Sequence, residues 1–299
     1  MLKKLSQRDA ALLLLLALPG ILHFLVFRYI PLGGNVIAFQ KYNLFKGFLE
    51  SPWVGLDNFR QMFAYREFYQ ILRNTLLLSL YSILFGFPAP LVLALMLNEM
   101  RRMWLKRSVQ TLLYLPHFLS WVIVGGIFVN MLTTEGFLNT VFGWFGIDRK
   151  DYMTDPAYFR TILVSTGIWK EVGWGTILYL AALAGINPNL YEAAMVDGAG
   201  RWRQMWSITL PSLLPAIVVL FLLRVGNVLD ANVEQVLVFQ NPLVREVGEV
   251  IDTYVYRIGL LGAQFSLTTA IGMFKSGIGL VLIVGLNAFS KRTTGESIY

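Results

Sequence analysis

Six long apolar runs restrict what this chain can fold into more than any other feature of its sequence. A helix needs about 20 predominantly apolar residues to cross the hydrocarbon core of a bilayer. Only 14% of the 299 residues are charged and 56% are hydrophobic, so the surplus apolar surface has to face lipid. The sequence therefore predicts an all-α, polytopic membrane bundle, forming one domain over residues 1–299. The six predicted transmembrane helices span roughly 10–30, 74–97, 112–132, 161–183, 212–229 and 267–289.

Basic residues at the ends of these runs predict how the chain is oriented. Lys3, Lys4 and Arg8 precede helix one, and further Lys and Arg residues follow helices two, four and six. Because cytoplasmic loops carry an excess of Lys and Arg, both termini are predicted to be cytoplasmic, with outer loops near 31–73, 133–160 and 230–266. The first apolar run is too long for the core of a signal peptide, so we expect an uncleaved first helix. The first outer loop is also basic, and its residues 59–72 are predicted to form an interfacial amphipathic helix.

The residue inventory excludes several classes of protein. There is no cysteine, and the two histidines, His23 and His117, lie in separate apolar runs, so we expect no metal site in this chain. The sequence has no Gly-Lys dipeptide and thus no P-loop. Its net charge of +7 is not gathered on one face, which argues against nucleic acid as a partner. Glu171 is the only acid well inside a predicted span, whereas a membrane enzyme needs clustered acids or histidines; no catalytic residue is predicted.

The loop between helices four and five contains a predicted short helix. Asn187-Pro188 is a good helix start, and Asn189 with Glu192 is a competing one. The helix is expected to end at Gly198 or Gly200, where glycine can adopt a left-handed cap. Such a helix, with small residues and exposed carboxylates, suits either docking to another protein or lying on the membrane surface.

Spacing within this loop carries a resemblance to a known family. Glu192-Ala193-Ala194 is followed at set intervals by Gly198, Ile208 and Leu210-Pro211. This pattern resembles the cytoplasmic EAA signature of binding-protein-dependent ABC importer permeases, which have the MetI-like fold. The resemblance implies a permease core over about 70–290 and a cytoplasmic coupling helix that sits in a groove of a separate ATPase. The residues implied in coupling are Glu192, Ala193, Ala194, Asp197, Gly198 and Arg203.

Three further motifs are similar to those of carbohydrate importer permeases. They are 53–59 (Trp-Val-Gly-Leu-Asp-Asn-Phe), Asn74-Thr75, and 114–120 (Tyr-Leu-Pro-His-Phe-Leu-Ser). They resemble the oligosaccharide branch, which includes aldouronate and alginate importers. The resemblance implies alternating access in the bacterial inner membrane, with a second homologous permease, two ATPase subunits and an extracytoplasmic solute-binding protein. ATP and Mg²⁺ would be bound by those partners, and this chain would hold no cofactor and be no enzyme.

Charged residues inside the spans suggest where the substrate passes. A charge at membrane depth costs at least about 2.5–3.5 kcal/mol on insertion scales, so it should face protein or a wet cavity. An aromatic ring beside polar groups suits a sugar, and three cations against Glu171 favour an acidic one, such as a uronate oligomer. The alternative is that Glu171 only neutralises a cation between helices. The predicted path residues are Trp169, Lys170, Trp174, Arg224, Asn227 and Lys275.

Two other functions remain open at this point. An ion-coupled secondary transporter also needs kinked helices and intramembrane charges, although the chain shows no convincing internal repeat. An ABC importer permease for a solute other than sugar would carry the same EAA signature.

Overall fold

Helices account for nearly all regular structure in residues 7–293, the part of the chain that this computed structural model describes; side chains are described for residues 12–292. Lys3 and Lys4 lie outside these residues. Within them, the β-structure consists of an isolated antiparallel bridge between Gln40 and Trp53. The described residues form two compact units, one comprising those up to Tyr65 with Val255–Phe274, and the other comprising Arg66–Tyr254 with those from Lys275 onward.

The helices of the first unit are α1 (Gln7–Phe24), α2 (Ile30–Leu32), α3 (Gly47–Glu50) and α4 (Asp57–Ala64). Those of the second are α5 (Arg66–Tyr81), α6 (Pro88–Asn98), α7 (Met103–Tyr114), α8 (Trp121–Leu132), α9 (Phe137–Gly143), α10 (Pro156–Ala184), α11 (Pro188–Val196), α12 (Arg201–Gln204), α13 (Leu210–Gly226), α14 (Val233–Phe239), α15 (Arg245–Gly248) and α16 (Ile251–Tyr254). The last helix, α17 (Phe265–Thr293), has residues in both units.

Five helical segments within the described residues are long and apolar enough to cross a membrane. They are Leu12–Phe39, Arg66–Asn98, Trp121–Gly143, Arg201–Gly226 and Phe265–Arg292. The remaining predicted span corresponds to α10, whose 29 residues give ample length. Arg160, Lys170 and Glu171 make α10 less apolar than the other five. All six predicted runs thus coincide with helical structure, and most of the helices extend beyond the run into polar flanks.

The third predicted run is not one continuous helix. A 3₁₀ turn at Leu115–Phe118 separates α7 from α8, and the chain is extended at Leu119 and Ser120. Pro116 is the physical cause, because proline lacks an N–H and its ring clashes with the preceding turn. Ser120 then starts α8 by accepting a hydrogen bond from the Ile123 N–H at 3.3 Å. The span at this point is Trp121–Gly143 and not 112–132.

Prolines also set wide, π-helical turns in three of the spans. Such turns occur at Leu25–Tyr29, Ser82–Gly86 and Met205–Thr209. Each lies immediately before a helix that has proline at its first or second residue, namely Pro31, Pro88 or Pro211. A proline at this position removes a donor from the preceding turn, and the helix accommodates the loss by widening.

In the second unit, α10 packs between two apolar cores. One core includes Trp121 of α8, Phe159 of α10 and Phe239 of α14, and the other includes Ala94 of α6, Tyr179 of α10 and Leu213 of α13. Glycines allow α10 to approach its neighbours closely. A Cβ added to Gly173 would lie 2.0 Å from the Leu113 carbonyl oxygen of α7, and one added to Gly175 would lie 2.9 Å from the Pro90 ring of α6.

Residues 230–254 differ from the outer loop predicted over 230–266. They form α14, α15 and α16, which pack against α5, α8 and α10. The buried Gln235 side chain donates to the Leu163 carbonyl at 2.6 Å and to the Thr166 hydroxyl at 3.0 Å, both in α10. Asn74 and Thr75, one of the family-like motifs, hold the other end of this segment, because Thr75 accepts from the Ile251 N–H at 3.0 Å.

The predicted amphipathic helix over 59–72 is two separate elements. The chain is extended at Tyr65, where α4 ends and α5 begins. Phe68 and Ile71 are buried in the second unit, so α5 belongs to the bundle and not to the membrane surface. In the first unit, the buried Asn58 side chain donates to the carbonyls of Ala38 (2.8 Å) and Gln40 (3.0 Å), which gives the 53–59 motif a structural role.

Candidate functional site: a polar cavity in the helix bundle

A cavity of about 520 Å³ lies within the second unit. It is enclosed by α5, α6, α10, α13, the segment after α13, and α14. Its walls are largely apolar, with a small set of polar and aromatic side chains. Those side chains are Ser79, Ser82, Phe87, Trp121, Glu171, Trp174, Tyr179, Arg224, Asn227, Asp230, Asn232 and Gln235.

Three of the six predicted path residues line this cavity, namely Trp174, Arg224 and Asn227. The other three lie elsewhere. Trp169, also on α10, packs edge-on against Phe128 of α8, with ring centroids 5.3 Å apart. Lys170 and Lys275 do not line the cavity, but each pairs with an acid that does, Glu171 and Asp230 respectively.

Four side chains meet around the break between α7 and α8. Lys170 is only 5% exposed and donates to the His117 carbonyl at 2.7 Å. Glu171 lies 3.4 Å from the Lys170 ammonium and 2.8 Å from His117 Nδ1. The His117 ring stacks on Trp174 with centroids 4.4 Å apart and planes 5° from parallel. Lys170 therefore neutralises Glu171, its neighbour on α10, and satisfies the His117 carbonyl in the broken backbone after Pro116, whereas the alternative considered from the sequence was an ion pair between helices.

Arg224 is the cation that reaches the cavity from α13. Its guanidinium donates to the Ser82 hydroxyl of the π-helical turn in the second span. The Arg224 side chain is exposed, and no carboxylate is hydrogen-bonded to it among the described side chains. Its side chain is thus a charged donor in the cavity wall that has a neutral partner.

Lys275 pairs with two aspartates that the sequence reasoning missed. Its ammonium lies 2.6 Å from Asp230 Oδ1 and also contacts Asp252 Oδ1. Both acids follow α13 in the segment that was predicted to be an outer loop. A lysine in the middle of an apolar run must find a partner, so its charge predicted an acid elsewhere in the chain without identifying which one. The balance of three cations to one acid therefore does not hold in the folded chain.

The EAA loop forms the helix that its sequence predicts. Asn187 caps α11 by accepting from the Asn189 N–H at 3.0 Å, so the first of the two candidate starts is the one used. Gly198 has φ +75°. The N–H groups of Ala199 and Gly198 donate to the carbonyls of Ala194 (2.8 Å) and Met195 (3.1 Å), which is a Schellman cap.

One side-chain contact fixes α11, and another fixes α12 directly after it, to the rest of the second unit. The Tyr191 and Thr209 hydroxyls are 2.9 Å apart, and Arg201 is 3.7 Å from Glu99. Within the part of the chain that the structure describes, the outer face of α11 is exposed, with Met195 59% and Val196 88% exposed. Glu192, Ala193, Asp197 and Arg203 are exposed on or beside this helix, and Ala194 is half-buried.

Asp148, Asp151 and Asp155 precede α10 in a loop that is predicted to lie outside. Asp151 accepts from the Met153 N–H at 3.0 Å, and Asp155 caps α10 by accepting from the Ala157 N–H at 2.9 Å. Asp155 also pairs with Lys150 at 2.9 Å. The hydrogen bond from Lys150, together with that from Ala157, lowers the pKa of Asp155, and the same pairing raises the pKa of Lys150. Two of the three acids thus serve local structure.

Comparison with known proteins places the chain in one family. The family described as "Binding-protein-dependent transport system inner membrane component" matches residues 86–295. Protein LplB of Bacillus subtilis (strain 168) is 46% identical over 294 residues, covering 98% of this chain and 92% of LplB. The polygalacturonan/rhamnogalacturonan transport system permease protein YteP of the same organism is 46% identical over 288 residues, covering 96% of this chain and 90% of YteP.

Solved structures agree with this placement. A chain of a bacterial ABC transporter involved in the import of the acidic polysaccharide alginate is 43% identical, with a TM-score of 0.89 and coverage of 96% of this chain and 97% of that one. A chain of an alginate ABC transporter in complex with its alginate pentasaccharide-bound periplasmic protein is 42% identical, with a TM-score of 0.89 and coverage of 98% of both chains. These matches confirm the predicted helical membrane fold. The chain therefore belongs to the binding-protein-dependent transport system inner membrane components, the permease family whose EAA signature its sequence carries, and is a multi-pass protein of the bacterial inner membrane.

Proposed function

We propose that this chain is one permease subunit of an ATP-driven ABC importer that takes up oligosaccharides by alternating access. The observation that carries this proposal is the polar cavity inside the bundle, lined by Trp174, Arg224 and Asn227. Family membership supports the transport role. Among the relatives that are at least 42% identical, those whose names give a substrate, YteP and the alginate transporters, are named for acidic polysaccharides, whereas relatives of 27–30% identity are named for neutral sugars such as arabinooligosaccharides and trehalose/maltose.

Trp174 suits the apolar face of a sugar ring. His117 covers one face of the indole, yet Trp174 remains 47% exposed and lines the cavity. Stacking on a rigid aromatic ring provides contact area at small entropic cost, and amide groups nearby can bind hydroxyls. Asn227 and Asn232 also line the cavity and supply such amides. A pyranose ring lying on Trp174 would therefore meet both of the surfaces that carbohydrate recognition needs.

Arg224 suits the carboxylate of a uronate. Glu171 and Asp230, the acids of the cavity, have cationic partners in Lys170 and Lys275, whereas Arg224 is hydrogen-bonded to the neutral Ser82. A guanidinium binds a planar carboxylate through two parallel hydrogen bonds, which adds both affinity and specificity. We therefore propose acidic oligosaccharides as the substrate class.

The exposed face of α11 is proposed to dock on an ATPase subunit. Ala193 and Ala194 allow close approach of another backbone, and Met195 and Val196 supply exposed apolar contact. Glu192, Asp197 and Arg203 place charges around this face. The Schellman cap at Gly198 keeps the helix end rigid, so that movement of the ATPase is transmitted to the fifth span.

The remaining assembly follows from the same proposal. A second permease, two ATPase subunits that bind ATP and Mg²⁺, and a solute-binding protein would complete the importer. Binding of ATP would close the ATPase pair and open the path outward, and the binding protein would deliver the sugar there.

Uptake by the assembled importer in proteoliposomes tests this proposal. The probes are a uronate pentasaccharide and a neutral pentasaccharide. Arg224→Gln should lower uptake of the uronate at least about tenfold, because a charge-assisted pair contributes about 1.5–3 kcal/mol. Arg224→Lys should retain part of it, and Arg60→Gln, an exposed control, should behave as the wild type. Equal uptake of the uronate by wild type and Arg224→Gln would refute the acidic-substrate assignment.

A further inference from the structure

The segment 227–232, which links α13 to α14, forms one wall of the cavity. Asn227, Val228, Asp230, Ala231 and Asn232 all line it. The linker has little regular structure of its own, with turn hydrogen bonds from Val228 to Val225 and from Asp230 to Asn227, both 3.0 Å. Non-helical backbone inside a membrane bundle has to be satisfied by neighbouring elements.

Three helices outside the linker hold it in place. The Ser79 hydroxyl of α5 donates to the Val228 carbonyl. On α16, Asp252 Oδ2 accepts from the Ala231 N–H at 2.9 Å. Lys275 of α17 then joins the side chains of Asp252 and Asp230.

Asp230 lines the cavity, whereas Lys275 does not and contacts Asp230 from outside the lining. The side chains of Lys275 and Asp252 are only 17% and 19% exposed, whereas that of Asp230 is 55% exposed and belongs to the cavity lining. The three side chains together carry a net charge of −1, and loss of the lysine would leave −2 at the wall.

We propose that Lys275 is a positioning residue for transport, which fixes the 227–232 linker and limits the negative charge of the wall so that a carboxylate-bearing sugar can enter. Lys275 does not touch the substrate itself. The inference rests on the proposed uptake of acidic oligosaccharides. It adds an explanation of how repulsion between the acids of the cavity and an acidic sugar is limited.

A charge-balance experiment separates this role from a merely structural one. The apparent KM for uptake is measured with a uronate pentasaccharide and with a neutral pentasaccharide, using the complete importer in proteoliposomes. Lys275→Met should raise the KM for the uronate on the order of tenfold, the effect of one extra charge about 10 Å away at an effective dielectric constant near 20. The KM for the neutral probe should change less than about threefold, because that probe carries no charge and the hydrogen bonds of the linker with Ser79 and Asp252 remain.

The double variant Lys275→Met/Asp252→Asn restores the net charge of −1. Its asparagine oxygen can still accept from Ala231, so we expect the KM for the uronate to return toward the wild-type value. Should Lys275→Met prevent assembly, Asp252→Asn alone provides the test, because it changes the net charge to zero and should lower the KM for the uronate.

Equal effects of Lys275→Met on the two probes, no rescue by the double variant, or an unchanged or raised KM in Asp252→Asn would overturn the inference. If the wild-type importer takes up neither probe, the proposed function fails, and this inference fails with it. Failure of the proposed function can be distinguished from failure of this inference, because the former is seen with the wild-type importer, in which Lys275 is unchanged.

Discussion

Gly173→Ala is the substitution whose effect the structure defines most sharply. The added Cβ would lie 2.0 Å from the Leu113 carbonyl oxygen and 2.5 Å from its carbon, whereas real Cβ contacts under 3.0 Å essentially never occur. The clash is with backbone, so no side chain can rotate to relieve it. The two helices α7 and α10 therefore have to separate by about 1 Å at this point.

The loss of stability expected for Gly173→Ala follows from the contacts that this separation disturbs. Overpacking costs about 1–3 kcal/mol. Moving the α7 end by about 1 Å would also stretch the hydrogen bond from Lys170 to the His117 carbonyl, now 2.7 Å, beyond bonding distance, and a bond to a charged group contributes about 1.5–3 kcal/mol. We expect Gly173→Ala to lower the free energy of unfolding by about 2–4 kcal/mol, because the two costs overlap.

Gly126→Ala is the matched control. Gly126 lies in α8, and a Cβ there would meet nothing within 4 Å. The same substitution at this open helical position should stabilise the protein by about 0.5–1 kcal/mol. Both values are measured by denaturant titration of the purified subunit in detergent. If Gly173→Ala were as stable as Gly126→Ala, the close approach of α10 to α7 would be refuted.

Three other predictions concern topology, coupling and pH. A cysteine-labelling map should place Arg102 in the cytoplasm and Asp148 outside, and labelling of position 102 from the outside would contradict the orientation. Ala194→Trp should abolish sugar-stimulated ATP hydrolysis and weaken copurification of the ATPase subunits at normal expression; normal coupled hydrolysis would argue against docking at α11. The lowered pKa of Asp155 means that its stabilising pair with Lys150 is present above the ordinary value of 3.8 and is lost as the pH falls through the lower folded value. As the pH falls through that range, the midpoint temperature of thermal unfolding should therefore decrease more for the wild type than for Asp155→Asn, in which the cap is kept. Identical dependence of the midpoint on pH in the two proteins would exclude this ion pair as the cause.

Local sequence signals predicted the helices and their ends. They did not predict the contacts between residues that are distant along the chain. Runs of about 20 apolar residues located most of the spans because the bilayer itself imposes that length, whereas the third run was misplaced because Pro116 interrupts the helix. Asn187 and Gly198 marked the ends of α11 because capping depends on neighbouring residues only.

Lys275 shows the limit of such reasoning. Its charge at membrane depth was evident, but its two aspartates lie 45 and 23 residues away along the chain, and no pattern pairs residues over such separations. The folding of 230–254 into the bundle was missed for the same reason, since Gln235 finds its partners on α10. Of the predicted path residues, those on the cavity face could be identified only once the helices were packed.

The wide turn at Met205–Thr209 has a consequence for helical phase. A π-helical turn holds one residue more than an α-helical turn, and each residue of an α-helix advances about 100° around its axis. Relative to α11 and α12, that extra residue therefore sets the direction in which each side chain of α13, including Arg224, projects from the helix axis. Removing a single residue from 205–209 would restore regular winding and turn the guanidinium about a quarter of a circle from its present direction. In this span, the number of residues in a turn about 15 positions before Arg224 thus determines the orientation of its charge.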